Sequence, residues 1–136
     1  MVAAVLPVML AQGNGHLVAI SSLASYRGLP RAAAYSASKA AMSNYFESLR
    51  LDLQGKGIDV TTVNPGFIRT AMTGGEEAKA PFLMELDAAT QKLVQALERR
   101  LSVYAFPWQL ATIVRLMKFM PNSLYDPIVS RFLRRA

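Results

Sequence analysis

Tyr35 and Lys39 stand four residues apart in a stretch, 33–53, that is rich in alanine and free of glycine and proline. On a helix that spacing puts both side chains on one face, with Cβ atoms roughly 5–6 Å apart. The pair has a chemical use. A free tyrosine titrates near ~10 and is a reluctant base at neutral pH. A lysine ammonium beside it favours the phenolate, and so does the positive end of the helix dipole, because Tyr35 falls in the first turn. Each pH unit by which the phenol is lowered corresponds to about 1.4 kcal/mol, so a drop of about two or three makes a usable proton donor and acceptor. A serine hydroxyl close by can hold the carbonyl or alcohol oxygen whose proton is moving.

The elements around the pair must put it at a binding edge. Residues 1–11 read as an apolar helix with Pro7 as a kink, followed by a Gly13-Asn14-Gly15 turn. Residues 16–20 are a short continuous apolar run, the pattern of a strand covered on both faces, and they end in Ser21-Ser22. His16 stands at the mouth of that run as a turn residue. Residues 23–32 read as a loop, and 33–53 as a helix stopped by Gly55 and Gly57, with Met42, Phe46, Leu49 and Leu53 as its apolar stripe. A second strand, 58–63, is broken by Asn64-Pro65-Gly66. A helix over 86–101, with Leu86, Leu93, Leu97 and Leu101 near one face, leads to a third strand at 102–106. From Pro107 onward two helices are divided by Pro121-Asn122-Ser123, with Asn122 or Ser123 as the cap. Helix and strand in alternation predict an α/β fold with a doubly wound parallel sheet.

In open α/β sheets ligands bind beyond the carboxyl ends of the strands. That rule selects Ser21-Ser22, Asn64-Pro65-Gly66 and the Phe106 end of the third strand, and Tyr35 belongs to the same edge. The bare Tyr–Lys pair is a weak signal, since chance supplies one in roughly every fifth chain of this composition. The ordered set is stronger: strand, Ser-Ser, a 13-residue step from Ser22 to Tyr35, then Lys39, then a strand ending in Asn-Pro-Gly.

Composition narrows the chemistry further. The 136 residues amount to about one domain, and with 52% hydrophobic residues they can build a core. Cysteine is absent and His16 is the single histidine, which excludes a thiol nucleophile, a cysteine-ligated metal and a histidine cluster. A net charge of +6 is basic without the dense stripe of a dedicated nucleic-acid binder, so no nucleic-acid partner is expected. The apolar run before Gln12 is too short to span a bilayer and has no basic residue ahead of it, so the default compartment is the cytoplasm.

The segment "GHLVAISSLASYRGLPRAAAYSASKAA", followed by "GIDVTTVNPGFIRT", resembles the short-chain dehydrogenase/reductases over about residues 1–75. The resemblance implies the C-terminal half of a Rossmann-type sheet, an NAD(H) or NADP(H) cofactor, and reversible hydride transfer between carbonyl and alcohol. By the motif, Tyr35 matches the catalytic acid/base and Lys39 the residue that lowers its pKa and binds the nicotinamide ribose. Ser22 matches the substrate-orienting serine, with Ser21 the less favoured candidate at a step of 14. Pro65, Gly66, Ile68 and Thr70 match the segment that meets the nicotinamide carboxamide and the phosphates. Members of this family open with a strand, a Gly-rich phosphate loop, an Asn-Ala-Gly signature and a catalytic asparagine, and none of these occurs here. About 100 residues of βα units are therefore expected ahead of residue 1. Residues 1–106 then read as a partial Rossmann-type domain and 107–136 as a basic amphipathic tail.

Other residues carry simpler expectations. Tyr104, Phe106 and Trp108 read as core or interface aromatics. Met72, Phe82, Leu83 and Met84 lie where the family builds its substrate lid, which implies a small, apolar carbonyl or alcohol substrate, although apolar residues there also serve simply as packing. Arg99-Arg100 reads as a solvated helix end. The tail carries Arg115, Lys118, Arg131, Arg134 and Arg135 against Asp126, a pattern suited to a solvent-facing helix pair, a partner subunit or peripheral contact with an anionic membrane. Ala33, Ala37, Ala40, Ala41 and Asn44 form a small-residue face on the Tyr35 helix. The resemblance implies that this helix and the first pair across a two-fold axis into homo-oligomers, dimers or tetramers. The alternative to an oxidoreductase half is a non-catalytic interaction module built on the apolar helices, or an inactive fragment.

Overall fold

A computed structural model describes residues 1–70 and 80–133. Helix α1 (Val2–Gln12) leads into strand β1 (Gly15–Ile20), a 3-10 turn (Leu23–Ser25) and helix α2 (Ala33–Asp52). Strand β2 (Ile58–Pro65), helix α3 (Leu86–Glu98) and strand β3 (Val103–Phe106) follow, and α4 (Trp108–Phe119) and α5 (Asn122–Leu133) close the chain. The three strands form one parallel sheet in the order β1-β2-β3, in register Leu17 with Val60, Ala19 with Thr62 and Val63 with Tyr104. This is the Rossmann-like α/β architecture that the alternation of elements predicts.

Alternation along β2 divides the core between the two faces. On one face Leu17, Ile58 and Val60 pack with Phe46, Leu49 and Leu53 of α2 and its end, and with Val2, Leu6 and Met9 of α1. On the other face Val63 and Phe106 meet Ala89, Leu93 and Ala96 of α3. The alanines let α3 approach closely: Ala89 and Ala96 are buried, while Leu86, expected on the inner stripe, is half exposed.

Two close approaches fix the turns. Gly57 has φ +73 and lies so near α1 that a Cβ there would sit 2.0 Å from the Gly13 carbonyl oxygen. Gly15 N–H bonds back to the Gly57 carbonyl at 3.2 Å, which starts β1 beside β2. The first strand therefore includes His16. Its ring is not a turn group but is hydrogen-bonded through Nε2 to Thr61 Oγ1 at 2.7 Å on the neighbouring strand.

Two further expectations are corrected. Helix α3 ends at Glu98 rather than 101, because Arg100 takes a left-handed φ of 49 and Leu101 N–H returns to the Ala96 carbonyl. Arg99 and Arg100 are exposed, as a solvated helix end implies, and the Arg100 guanidinium also pairs with Asp59 at 2.5 Å. Neither Asn122 nor Ser123 precedes α5 as a cap, since both lie inside its first turn. Of the aromatics read as core or interface residues, Phe106 is buried in the core and Trp108 points outward, 71% exposed.

Candidate active site

The strand ends converge as the parallel sheet requires. Ser21 N–H donates to the Val63 carbonyl at 2.8 Å, and Gly66 N–H donates to the Phe106 carbonyl at 2.7 Å. The segments that begin at Ser21, Gly66 and Pro107 therefore leave from one edge. Strand β2 runs two residues past the expected break, because Pro65 still pairs in register with Phe106. Proline can end a strand here since its missing N–H is not required beyond that point.

The two serines do different work. Ser21 is buried; its hydroxyl donates to the Lys39 carbonyl at 2.9 Å and accepts from Ser43 at 2.8 Å. It fastens the end of β1 to the middle of α2. Ser22 has extended backbone and its Oγ accepts from Ala24 N–H at 3.1 Å, capping the 3-10 turn. That turn was expected as loop. Capping uses the Ser22 oxygen as an acceptor and leaves its hydroxyl hydrogen to be directed elsewhere.

Tyr35 stands in the first turn of α2 with its side chain half exposed, close to the positive end of the helix. Lys39 follows one turn later. Its ammonium donates to the Ile20 carbonyl at 2.9 Å and lies 5.7 Å from the centroid of the Tyr35 ring. The lysine thus joins the last residue of β1 to the face of α2 that carries the tyrosine. An ammonium has three donors, so two hydrogens remain for other acceptors.

Beyond β2, Phe67 and Arg69 bond through their backbones to Met84, with Arg69 N–H to Met84 O at 2.8 Å and Met84 N–H to Phe67 O at 3.0 Å. Arg69 also pairs with Glu85 at 2.9 Å. These contacts form a stem that holds Ile68 against the core beside Met84, while Thr70 sits exposed at its outer end. Met84 therefore packs against the core, the plainer of the two readings of that stretch. Phe82 is exposed with φ 58, and Met72 lies outside the described residues. Gly66 is closely surrounded: a Cβ there would lie 2.9 Å from Leu110 Cδ2, 3.1 Å from Pro107 Cδ and 3.3 Å from Leu23 Cδ1, so a side chain would require Leu110 to shift.

Sequence reasoning missed Arg27. It caps the end of α4 by donating to the Met117 carbonyl and, at 2.5 Å, to the Met120 carbonyl. A lone arginine in a loop gives no sign of partners some 90 residues away; the only hint is the run of helix-end carbonyls that the Pro121 break leaves in need of donors.

Comparison with known proteins places this geometry. The short chain dehydrogenase family model matches residues 1–81. An uncharacterized oxidoreductase of Myxococcus xanthus is 46% identical over 128 residues, which cover 94% of this chain and 51% of the relative. Human short-chain dehydrogenase/reductase 3 is 30% identical over 129 residues, covering 92% of this chain and 43% of the relative. The chain thus spans about half the length of the curated relatives it matches. Among solved structures, a short-chain dehydrogenase from Sphingobium yanoikuyae in complex with NADPH superposes with a TM-score of 0.68 at 29% identity, over 88% of this chain and 51% of that one. Another from Burkholderia cenocepacia, in complex with NADP, shares the fold with a TM-score of 0.77 at 24% identity, over 95% and 53% of the two chains. A strand ending in paired serines, a Tyr-x-x-x-Lys helix and a strand ending in Asn-Pro-Gly, carried on this parallel sheet, agree with that match: the chain belongs to the short-chain dehydrogenase family.

Proposed function

We propose that the chain supplies the proton-transferring half of an NAD(P)-dependent oxidoreductase that interconverts small apolar carbonyl compounds and alcohols. The observation that carries this reading is the placement of Lys39, fixed to the Ile20 carbonyl with its charge 5.7 Å from the Tyr35 ring. A cation held there stabilises negative charge developing on the phenolic oxygen. In the reducing direction Tyr35 gives its proton to the substrate oxygen, and in the oxidising direction it takes that proton back. Ser22 orients the substrate oxygen through its hydroxyl.

The donor chemistry at this edge suits the nicotinamide end of a dinucleotide, which when bound supplies or accepts the hydride. The two remaining Lys39 hydrogens suit ribose hydroxyls. Pro65, Gly66, Ile68 and Thr70 line the strand exit where the carboxamide and phosphates would be met. The Gly-rich phosphate site is assigned to the half that the relatives carry and this chain does not contain.

Two surfaces support partners. On α2, Ala33, Ala37, Ala41 and Asn44 are exposed, and on α1 so are Val5 and Val8, surfaces suited to self-association in a dimer or tetramer. On α4, Trp108, Leu116 and Phe119 point outward near Arg115 and Lys118, which suits peripheral contact with an anionic membrane in an otherwise cytoplasmic protein. Among the described residues no helix is long and apolar enough to cross a membrane.

The test is a fusion of the first half of the Myxococcus xanthus relative to this chain, assayed for NADH and NADPH oxidation against a panel of aliphatic and aromatic ketones and aldehydes. Turnover that disappears in Tyr35→Phe supports the reading. A folded fusion that binds the nucleotide but reduces nothing in the panel, or that keeps its turnover in Tyr35→Phe, overturns it in favour of a non-catalytic interaction module.

A further inference from the structure

Residues 26–32 run between the two groups assigned to the substrate, from the turn that Ser22 caps to the first turn of α2 where Tyr35 stands. Helices α4 and α5 hold three consecutive residues of this segment. The Tyr26 ring lies 5.9 Å from the Arg115 guanidinium and 6.0 Å from the Lys118 ammonium. Arg27 donates to the carbonyls of Met117 and Met120 and, at 2.7 Å, to Asn122 Oδ1. Its guanidinium also stacks 3.7 Å above the ring of Tyr125. The Tyr125 ring is buried, and its hydroxyl donates to the Gly28 carbonyl at 2.7 Å. One planar cation thus serves the orphan carbonyls at the end of α4, a side chain at the start of α5 and an aromatic face, a combination open to arginine and not to lysine.

The clasped elements reach the site in two places, through the start of α4 and through the loop after Gly28. At its start, Leu110 and Leu23 converge on Gly66, against the strand exit assigned to the cofactor. Downstream of Gly28, Leu29 N–H points to Ser36 Oγ at 3.4 Å and Ala32 N–H to the Leu29 carbonyl at 3.2 Å. A shift at Gly28 is therefore passed to Ser36, the neighbour of Tyr35.

We infer that Arg27 is a positioning residue for the substrate side, a role that rests on the proton-transfer reading above: its clasp makes the α4–α5 pair a fixed wall beside Ser22 and Tyr35. Arg27 touches neither substrate nor cofactor. It sets where the 26–32 segment lies, and with it the shape of the space the substrate enters.

The experiment takes the protein as its own cells make it and compares Arg27→Ala, Arg27→Lys and the milder Tyr125→Phe. Arg27→Ala should raise KM for the carbonyl substrate about tenfold while kcat and the Kd for the nucleotide stay near the parent values, the pattern of lost ground-state positioning. Arg27→Lys should restore only part of the loss, and Tyr125→Phe should show a smaller rise of the same kind. Backbone hydrogen exchange gives a readout independent of turnover: Arg27→Ala should lose protection at Leu29, Ala32 and Ser36 and keep it along β2. Parent-like KM in Arg27→Ala, or unchanged exchange at those three amides, overturns the inference. If the parent itself turns nothing over, the proton-transfer reading has failed, and the exchange pattern alone decides whether the clasp holds the segment.

Discussion

Lys39 reaches away from its own helix to the Ile20 carbonyl, 2.9 Å off, and in doing so brings its charge to 5.7 Å from the Tyr35 ring. The hydrogen bond fixes the ammonium at the end of β1, so the tyrosine meets a cation whose place is set by the sheet and not only by the helix. Without Lys39 the phenol would keep the helix dipole but lose this neighbour.

From this follows the first prediction. In the active fusion, Tyr35→Phe removes the only proposed proton donor and should cut turnover by about 10²–10⁴-fold with the fold unchanged by circular dichroism. Lys39→Ala should lower turnover and weaken nucleotide binding together, since one ammonium is assigned both tasks. A Tyr35→Phe protein with near-parent turnover contradicts the assignment.

The second prediction concerns the turn at Gly57. A methyl group there would overlap the Gly13 carbonyl oxygen at 2.0 Å, and the left-handed φ of +73 adds strain for any side chain. Gly57→Ala should destabilise the protein by roughly 3 kcal/mol, at the upper end for overpacking. Gly28→Ala is the control, because nothing lies within 4 Å of a Cβ there. Denaturant unfolding of both variants decides, and equal midpoints would contradict the clash.

The legible part of this fold is the part written in short-range pattern. The Ala-rich run 33–53, the apolar run 16–20 and the β-branched run 58–63 each announce their period, and the strand-end rule then puts Ser22, Tyr35 and Gly66 on one edge. What stayed hidden depends on pairs far apart in the chain. Arg27 and Tyr125 look like an ordinary loop arginine and an ordinary helix tyrosine until the fold stacks them. Arg100 was hidden for a different reason: the left-handed position after a helix usually selects glycine, and here an ion pair with Asp59 accompanies an arginine instead. On α3 the leucine stripe holds in part: Leu93 and Leu101 pack on the core and Leu86 does not, while close approach to the sheet puts the smaller Ala89 and Ala96 deepest.

The third prediction is a pH dependence of stability. Burial against β2 lowers the His16 pKa from the ordinary 6.5, the positive Arg100 lowers it further, and Asp59 opposes both. The folded state therefore holds the proton less tightly than the unfolded chain. Above pH 6.5 both states are neutral at this ring and the full stability is present; as pH falls from 6.5 through the folded value, the unfolded state takes up the proton first and stability drops. His16→Gln should flatten that slope in urea unfolding measured across the acid range. An unchanged slope would mean that other groups carry it.

The fourth prediction addresses assembly. Ala41 lies on the exposed small-residue face of α2, and the inner side of the same helix is already occupied by Phe46, Leu49 and Leu53 against the sheet. Among the described residues the small face does not pack on the sheet, and a second copy is the partner proposed for it. Small side chains there let two helices meet closely, and α1 offers Val5 and Val8 as a second exposed apolar surface. Ala41→Arg would set a long charged side chain into that contact, combining steric exclusion with an unpaired charge deprived of water. The expected result is a fall in mass by light scattering from dimer or tetramer to a smaller species, with the far-ultraviolet spectrum unchanged. An oligomer of parent mass would move the interface elsewhere, first to the outward face of α4 around Leu116 and Phe119.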